Sequence, residues 1–202
     1  TCLEDIDRLP DDTSYPISLA AERIPDPTTA GDFLRRFQAD DIGALQETLN
    51  QARRQVWASQ PDSFRAEATI DVDGTHAITT GECKQGMDIS YQGIWGYAPL
   101  IVSLANTKET LYLVNRPGTA TSSSEAAPWI DRAIDLVAGV FEKVWLRGDT
   151  DFSLTEHLDR WDQQVSFVLG YNAYANLIER AEALPRKAWR RLERPARFTS
   201  QA

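Results

Sequence analysis

The chain has 202 residues, with 21 Lys and Arg against 30 Asp and Glu, which makes its formal net charge −9. This length predicts one domain, or one domain with an appended segment, and an apolar content of 42% excludes wholesale disorder. The acidic balance argues against a nucleic-acid partner, because phosphate binding needs clustered Lys and Arg. No apolar run is long enough to cross a membrane, and two Cys with two His are too few for a disulfide framework or a structural zinc site. We therefore expect a cytoplasmic protein.

Residues 1–64 are expected to form a lead-in to the main domain. Their first half is rich in Asp, Pro and Thr and predicts extended, turn-rich chain. A longer helix is then predicted to begin at Asp40 or Asp41 as N-cap and to end near Trp57. Its apolar residues recur at helical spacing and are Ile42, Leu45, Leu49 and Val56.

Residues 65–172 predict an alternating α/β core. The predicted elements, in order, are strands at 68–73, within 89–105 and at 110–115, a helix from Ser124 to Phe141, a strand at 144–146, a helix from its N-cap Ser153 to Trp161, and a strand at 165–170. The short apolar strand at 144–146 is typical of one buried on both faces. A three-strand meander followed by two αβ units is the layout of a ribonuclease H-like mixed sheet.

Residues 173–202 form a basic tail. From residue 179 onward seven Lys and Arg face three Glu, a local net charge of +4, so the preceding residues carry −13. Basic side chains with Trp189 among them suit contact with a DNA backbone. A solvated amphipathic helix explains the same pattern equally well.

The residues most informative about chemistry are aspartates at two strand ends. Asp71 and Asp73 lie on one side of the first strand, because side chains alternate with period two. Asp149 and Asp151 follow the strand at 144–146 directly. Carboxylates at neighbouring strand ends could hold Mg²⁺ or Mn²⁺, which prefer oxygen ligands. The competing interpretation is that they are turn residues and helix caps, where Asp is common.

Several segments resemble bacterial insertion-sequence DDE transposases. Thr69–Thr75 looks like the Asp-x-Asp-Ser-Thr segment of that family, and Gly93–Leu100 resembles its Gly-x-x-Gly-Tyr-x-Pro-Leu stretch. Asn115–Ala120 resembles an Arg-x-Gly-Asn-Ala turn, and Leu146–Phe152 resembles an Arg-x-Asp-Ser-Gly-Phe segment. Four motifs in the family's order, over about residues 65 to 172, are more specific than any one of them.

This resemblance implies a ribonuclease H-like core in which two Asp and one Glu bind two divalent ions, Mg²⁺ or Mn²⁺. Carried over by position, the first acid is Asp73 and the second is Asp149, whereas Asp71 and Asp151 become supporting acids. Gly74 stands where the family usually has Ser, and Asp151 where it has Gly. The implied partners are the DNA of transposon ends and of the target. The resemblance also implies that the protein acts at the nucleoid, and it is compatible with a homodimer in a synaptic complex.

The third acid has no match in the chain. The family's Glu lies in a Tyr-x-x-Arg-x-x-x-Glu pattern, and no Tyr here is followed by Arg at that spacing. Glu179, Glu182 and Glu193 are available acids, but their surroundings differ from the pattern. The only methionine is Met87, so we expect a processed or excised piece that lacks the catalytic Glu.

Two other groups of residues near these motifs have alternative roles. The aromatic residues Tyr91, Trp95 and Tyr97 could stack on a DNA base, but packing within the sheet is the favoured interpretation. His76 could touch metal or substrate, and a solvated strand-end histidine is the favoured interpretation.

Three functions are compatible with these sequence features. The first is a transposase catalytic domain that cleaves and joins DNA at insertion-sequence ends with the help of divalent metal. The second is a decayed or incomplete domain that acts as a structural or assembly module. The third is another ribonuclease H-like nuclease, which would cleave DNA without preferring transposon ends.

Overall fold

A computed structural model describes residues 3–8, 14–18, 20, 22, 24–81, 84–191 and 193. The helices in this part of the chain are α1 (Ser14–Ser18), α2 (Pro27–Leu34), α3 (Ala39–Ala58), α4 (Asp62–Arg65), α5 (Ala126–Ala138), α6 (Thr155–Asp162) and α7 (Ala175–Glu182), with 3-10 turns at Leu3–Arg8, Thr150–Phe152 and Arg186–Ala188. The strands are β1 (Glu67–Gly74), β2 (Ala77–Ile78), β3 (Asp88–Ile89), β4 (Trp95–Tyr97), β5 (Leu100–Leu104), β6 (Glu109–Val114), β7 (Lys143–Gly148) and β8 (Ser166–Leu169).

The main sheet has five strands in the order β6-β5-β1-β7-β8. Strands β1, β5 and β6 pair antiparallel as a meander, whereas β7 and β8 run parallel to β1. The predicted mixed α/β sheet is therefore confirmed. The segment 89–105 contributes only β5 to this sheet, because its earlier part forms β3 and β4 of a separate three-stranded sheet in the order β2-β4-β3.

One face of the main sheet carries the hydrophobic core. Ile70 and Leu146 are fully buried on this face, and α5 packs against it through Ile130, Ile134 and Val137. Burying side chains of this kind stabilises the fold by about 1.5–3 kcal/mol each. These residues recur at helical spacing on α5 and alternate along the strands, which is why the sequence pattern located them.

Helix α6 lies beside α5 and is tied to it by one carboxylate. Asp131 accepts hydrogen bonds from the indole Nε1 of Trp161 at 2.8 Å and from the guanidinium of Arg160 at 2.8 and 3.0 Å. Trp161 is fully buried, so this bond satisfies an indole N–H that would otherwise lack a partner.

The opposite face of the main sheet is open in the described part of the chain. Trp145 is half-buried under the ammonium of Lys143, which lies 4.4 Å from the ring centroid. Farther along this face, Arg147 and Val168 are exposed. The prediction that the strand at 144–146 is buried on both faces is therefore wrong. Its apolar sequence reflects one core face and one aromatic residue shielded by a lysine.

Helix α3 covers the outer edge of β6 through polar side chains. Asn50 is buried and donates to the carbonyl of Leu111 at 3.0 Å. Gln46 accepts from the Leu113 N–H at 2.7 Å. These side chains occupy hydrogen-bonding groups that an edge strand would otherwise leave free.

The predicted helix at α3 is confirmed, but two of its details differ. The N-cap is Gln38, whose N–H donates to Asp41 at 2.8 Å, so neither Asp40 nor Asp41 is the N-cap. The apolar stripe that predicted the helix is exposed, because α3 contacts the sheet through other residues, among them Asn50, Gln46 and the buried Trp57. The exposed residues of the stripe are Ile42, Leu45, Leu49 and Val56.

The predicted start of α6 also differs. Leu154 precedes the helix, and the Ser153 hydroxyl donates to the carbonyl of Thr150 instead of capping the helix. The 3-10 turn before α6 uses that hydroxyl, which explains the failed prediction. Within the described residues, no helix combines the length and the apolar character that crossing a membrane requires.

Candidate active site

The two aspartates singled out by sequence lie at the same edge of the main sheet. In the parallel pair β1–β7, Val72 is opposite Gly148, so Asp73 and Asp149 are the next residues on neighbouring strands. Such strands run about 4.8 Å apart. Both aspartates are exposed. The structure thus places the two predicted site residues at adjacent positions, open to solvent.

Asp73 and Asp149 differ in what already binds their carboxylates. Asp73 has no hydrogen-bond or ion-pair partner among the described residues. The Oδ1 of Asp149 accepts the N–H of Asp151 at 2.9 Å, which holds its carboxylate at the start of the 3-10 turn. Together they leave several oxygen atoms free for a cation.

Asp71 lies two residues before Asp73 on the same face of β1, and its carboxylate is paired with an arginine of the protein. Arg147 donates from Nε and Nη2 to its two oxygens at 2.5 and 2.6 Å. These hydrogen bonds, and attraction to the carboxylate, raise the pKa of Arg147. Because Arg147 lies opposite Asp71 in the register, the strand pairing itself builds this ion pair, and it leaves Asp73 as the open acid of β1.

A close backbone approach at Gly170 fixes the position of Asp149. A Cβ on Gly170 would lie 2.8 Å from the Thr150 nitrogen and 3.0 Å from the Asp149 carbonyl carbon. The Gly170 N–H also donates to the carbonyl of Gly148 at 3.1 Å. The end of β8 therefore packs directly against the turn that presents Asp149.

A cavity of about 520 Å³ lies beside these strand ends. The residues that directly follow each aspartate line this cavity. They are Gly74 and Thr75 after Asp73, and Thr150 and Asp151 after Asp149. Most of its other lining side chains are polar or aromatic, and they include His76, Tyr91, Arg116, Ser122, Ser123 and Tyr174. His76 is exposed, in agreement with the solvated histidine favoured from sequence.

No third acid joins Asp73 and Asp149 in the described chain. Among these residues no group of three His, Cys, Asp or Glu side chains could hold a metal ion. The available acids Glu179 and Glu182 lie on α7, which is exposed along almost its whole length, and Glu193 is exposed as well. The sequence also failed to match the family's third acid.

The aromatic residues of the small sheet do not all pack inside it. Tyr91 is 88% exposed and Trp95 is 54% exposed, so the favoured packing interpretation is wrong for these two. Tyr97 is half-buried and donates from its hydroxyl to the carbonyl of Gln85 at 2.9 Å. A two- or three-residue strand has no second layer to cover its outer face, which is why aromatic content alone misled the prediction.

The basic tail is exposed as far as the structure describes it. Helix α7 and the turn Arg186–Ala188 have solvent-facing side chains, and Trp189 is 58% exposed. Arg194 and Arg197, which were counted in the tail's charge, lie outside the described residues. Both interpretations of the tail, as a DNA contact and as a solvated helix, stay predictions.

A mixed sheet with aspartates at the ends of two adjacent parallel strands defines an α/β domain with a candidate carboxylate metal site. A family model described as transposase DDE domain group 1 matches residues 1–200. The chain belongs to this family, which confirms the resemblance noted from its motifs. No curated protein and no solved structure matches it.

Proposed function

We propose that this chain is a DNA transposase catalytic domain in which Asp73 and Asp149 bind the divalent ions for phosphodiester cleavage and strand transfer. The observation that carries the proposal is the register of β1 and β7, which places both aspartates at adjacent strand ends. Membership of the DDE transposase family supports the class of reaction. In this proposal the DNA partners are transposon ends and target DNA.

The strand order supports a finer assignment of the fold. An antiparallel meander continued by two parallel strands is the arrangement expected of a ribonuclease H-like core. We assign residues 65–172 to this core, residues 1–64 to the lead-in, and residues 173–202 to a basic tail. The sheet edge that carries Asp73 and Asp149 is then the catalytic edge.

The donor set fits Mg²⁺ or Mn²⁺. Two exposed carboxylates with free oxygens suit hard divalent cations, which commonly bind one or two protein carboxylates and complete their shell with water and phosphate oxygens. Such ions, when bound, stabilise the attacking and leaving oxygens of an in-line displacement. The protein's own contribution is positional: the Asp151 N–H orients the Asp149 carboxylate, and the Arg147–Asp71 pair keeps Arg147 from neutralising Asp73.

One observation favours a second candidate, a structural or assembly module without strand cleavage. No third carboxylate reaches Asp73 and Asp149 within the described residues, and the family's chemistry uses three. A two-carboxylate site would bind metal but position it less completely. Metal binding and DNA cleavage should therefore be measured separately.

The test is a Mn²⁺ titration followed by thermal unfolding. We expect Mn²⁺ to raise the melting temperature of the unmodified chain but not that of Asp73→Ala or Asp149→Ala. The matched control is Asp151→Asn, which removes a neighbouring charge and should keep the metal response. Stabilisation that survives both alanine substitutions, or that is lost only in the control, would show that the site is assigned to the wrong residues.

Cleavage of supercoiled plasmid in Mn²⁺ then separates the two candidates. A transposase catalytic domain produces nicks that disappear in the Asp73→Ala variant. A chain that binds Mn²⁺ through both aspartates and produces no nicks would support the structural module.

A further inference from the structure

Arg116 is a buried cation that the mechanism above does not use. It follows β6 and is only 5% exposed. Its Nε donates to the Ala98 carbonyl at 2.9 Å, and its Nη1 donates to the carbonyls of Ser122 and Ser124 at 3.0 and 2.5 Å. Its Nη2 is buried and has no hydrogen-bond partner among the described residues.

The charge of Arg116 is not neutralised by an ion pair in the described part of the chain. All its hydrogen-bond acceptors are neutral carbonyl oxygens. Burial lowers the pKa of Arg116, an effect that the charge of exposed Glu125 partly opposes. Burying a charge without an ionic partner is costly. The three carbonyls occupy Nε and Nη1, whereas Nη2 keeps donors that an anionic ligand could use.

Arg116 lines the cavity beside the strand ends, and the surrounding hydroxyl groups suit an oxyanion. Thr75, Ser122, Ser123 and Thr150 line the same cavity, and their hydroxyls make no hydrogen bond to the described residues. Hydroxyl groups and an arginine fork are the donors that proteins commonly direct at phosphate oxygens. In this cavity they lie next to the residues that follow Asp73 and Asp149.

Two features of the lining indicate which phosphate would fit. Asp151 also lines the cavity, and its negative charge disfavours a phosphate dianion more than a singly charged phosphodiester. Tyr91 and Tyr174 line the same cavity and are exposed, so their rings are available for stacking on a nucleobase. A phosphodiester within a DNA strand satisfies both conditions.

We propose that the Arg116 cavity binds a backbone phosphodiester of single-stranded DNA, adjacent to the phosphate that reacts at the aspartates. This inference rests on the proposed function, because it assigns the substrate strand's path at that site. Arg116 binds the phosphate through Nη2, with Ser123 and Thr75 donating from their hydroxyls. Nη2 is covered in the structure, so binding requires a local side-chain rearrangement that exposes it to the cavity.

The test measures the affinity of a fluorescently labelled single-stranded oligonucleotide without terminal phosphates, in EDTA and at low salt. The variants are Arg116→Lys, which keeps the charge and loses the fork, and Ser123→Ala, which changes one cavity hydroxyl. Arg132→Lys on α5 is the matched control outside the cavity. We expect Arg116→Lys to weaken binding about tenfold and Ser123→Ala about threefold, as befits lost hydrogen bonds to a charged group, with the control unchanged.

The outcomes separate this inference from the proposed function. Unchanged affinity in folded Ser123→Ala and Arg116→Lys overturns the inference, even if Mn²⁺ binds at the aspartates; should Arg116→Lys fail to fold, Ser123→Ala alone decides. Weakened affinity in a chain that shows no Mn²⁺ response keeps the inference and removes the metal assignment. Inorganic phosphate is the second probe. Suppose that phosphate stabilises the unmodified chain but not Arg116→Lys, while both bind the oligonucleotide with the same affinity. The cavity then holds free phosphate, and the phosphodiester assignment fails.

Discussion

Replacing Asp73 with asparagine removes one of two adjacent negative charges without removing a hydrogen bond, because Asp73 makes none to the described residues. At about 5 Å and in a water-like dielectric, two unit charges repel by about 0.8 kcal/mol. Both carboxylates are exposed, so the water-like value applies. We therefore expect Asp73→Asn to increase the free energy of unfolding by up to about 0.8 kcal/mol in EDTA.

The same substitution should have the opposite effect in Mn²⁺. At about one hundred times Kd, a bound ligand stabilises the folded state by about 2.7 kcal/mol, and the variant loses this contribution. Urea denaturation in EDTA and in Mn²⁺ measures both values, and Asp40→Asn on α3 serves as a control for general charge effects. If Asp73→Asn destabilises the metal-free protein by more than about 1 kcal/mol, or keeps the Mn²⁺ gain, the reasoning is refuted.

Substitutions at three further positions test the fold and the support of the site. Asp131→Ala should lower the free energy of unfolding by about 1–3 kcal/mol, because it leaves the buried indole N–H of Trp161 unpaired. Asp131→Asn should lower it less, and equal losses in urea denaturation would contradict this prediction. Gly170→Ala should lower Mn²⁺ affinity, measured by calorimetry, since its Cβ would displace the turn that holds Asp149; unchanged affinity would contradict it. Burial raises the pKa of Tyr112, so the free energy of unfolding should fall as pH rises above about 10. The fall should be smaller in Tyr112→Phe, and equal falls in the two proteins would contradict this prediction.

The strands of the main sheet were predictable because burial imposes an alternating pattern on them. Ile70 and Val72 alternate with Asp71 and Asp73, and the structure buries the first pair and leaves the second pair half-buried or exposed. The order of strands and helices then restricted the topology, since parallel neighbours require crossovers. The adjacency of Asp73 and Asp149 follows from these two facts.

Features that depend on tertiary contacts could not be predicted in the same way. The apolar residues of α3 predicted the helix but not its orientation, because Asn50 and Gln46 hold it against β6 by hydrogen bonds. Ser153 has the residue type of a helix cap, yet its hydroxyl is used by the preceding turn. In both places the sequence signal is local, whereas the outcome depends on hydrogen bonds with a neighbouring element.

Arg116 is a functional candidate that the sequence does not single out. It lies within the segment Asn115–Ala120, whose motif indicates only the family. An arginine that lacks a neighbouring acid in sequence is usually assumed to be exposed. Its burial depends on Ala98 and on the loop 121–124 that follows it, and no residue pattern shows that these segments fold around it.

The net charge of −9 is a weak argument against a DNA partner for this chain. Part of the negative charge is concentrated at Asp73, Asp149 and Asp151, on one sheet edge, whereas Asp71 is paired with Arg147. Divalent ions bound there would reverse the local potential. Charge counted over a whole chain cannot register this effect, whereas the positions of the acids can.

The most direct test of the central claim is anomalous scattering from crystals of the chain grown in Mn²⁺. We expect an anomalous peak between Asp73 and Asp149, with an oxygen of each carboxylate at about 2.1 Å, the coordination distance of a small divalent ion. A structure in which Mn²⁺ is absent from this edge, or is held by Asp71 and Asp151 instead, would contradict it.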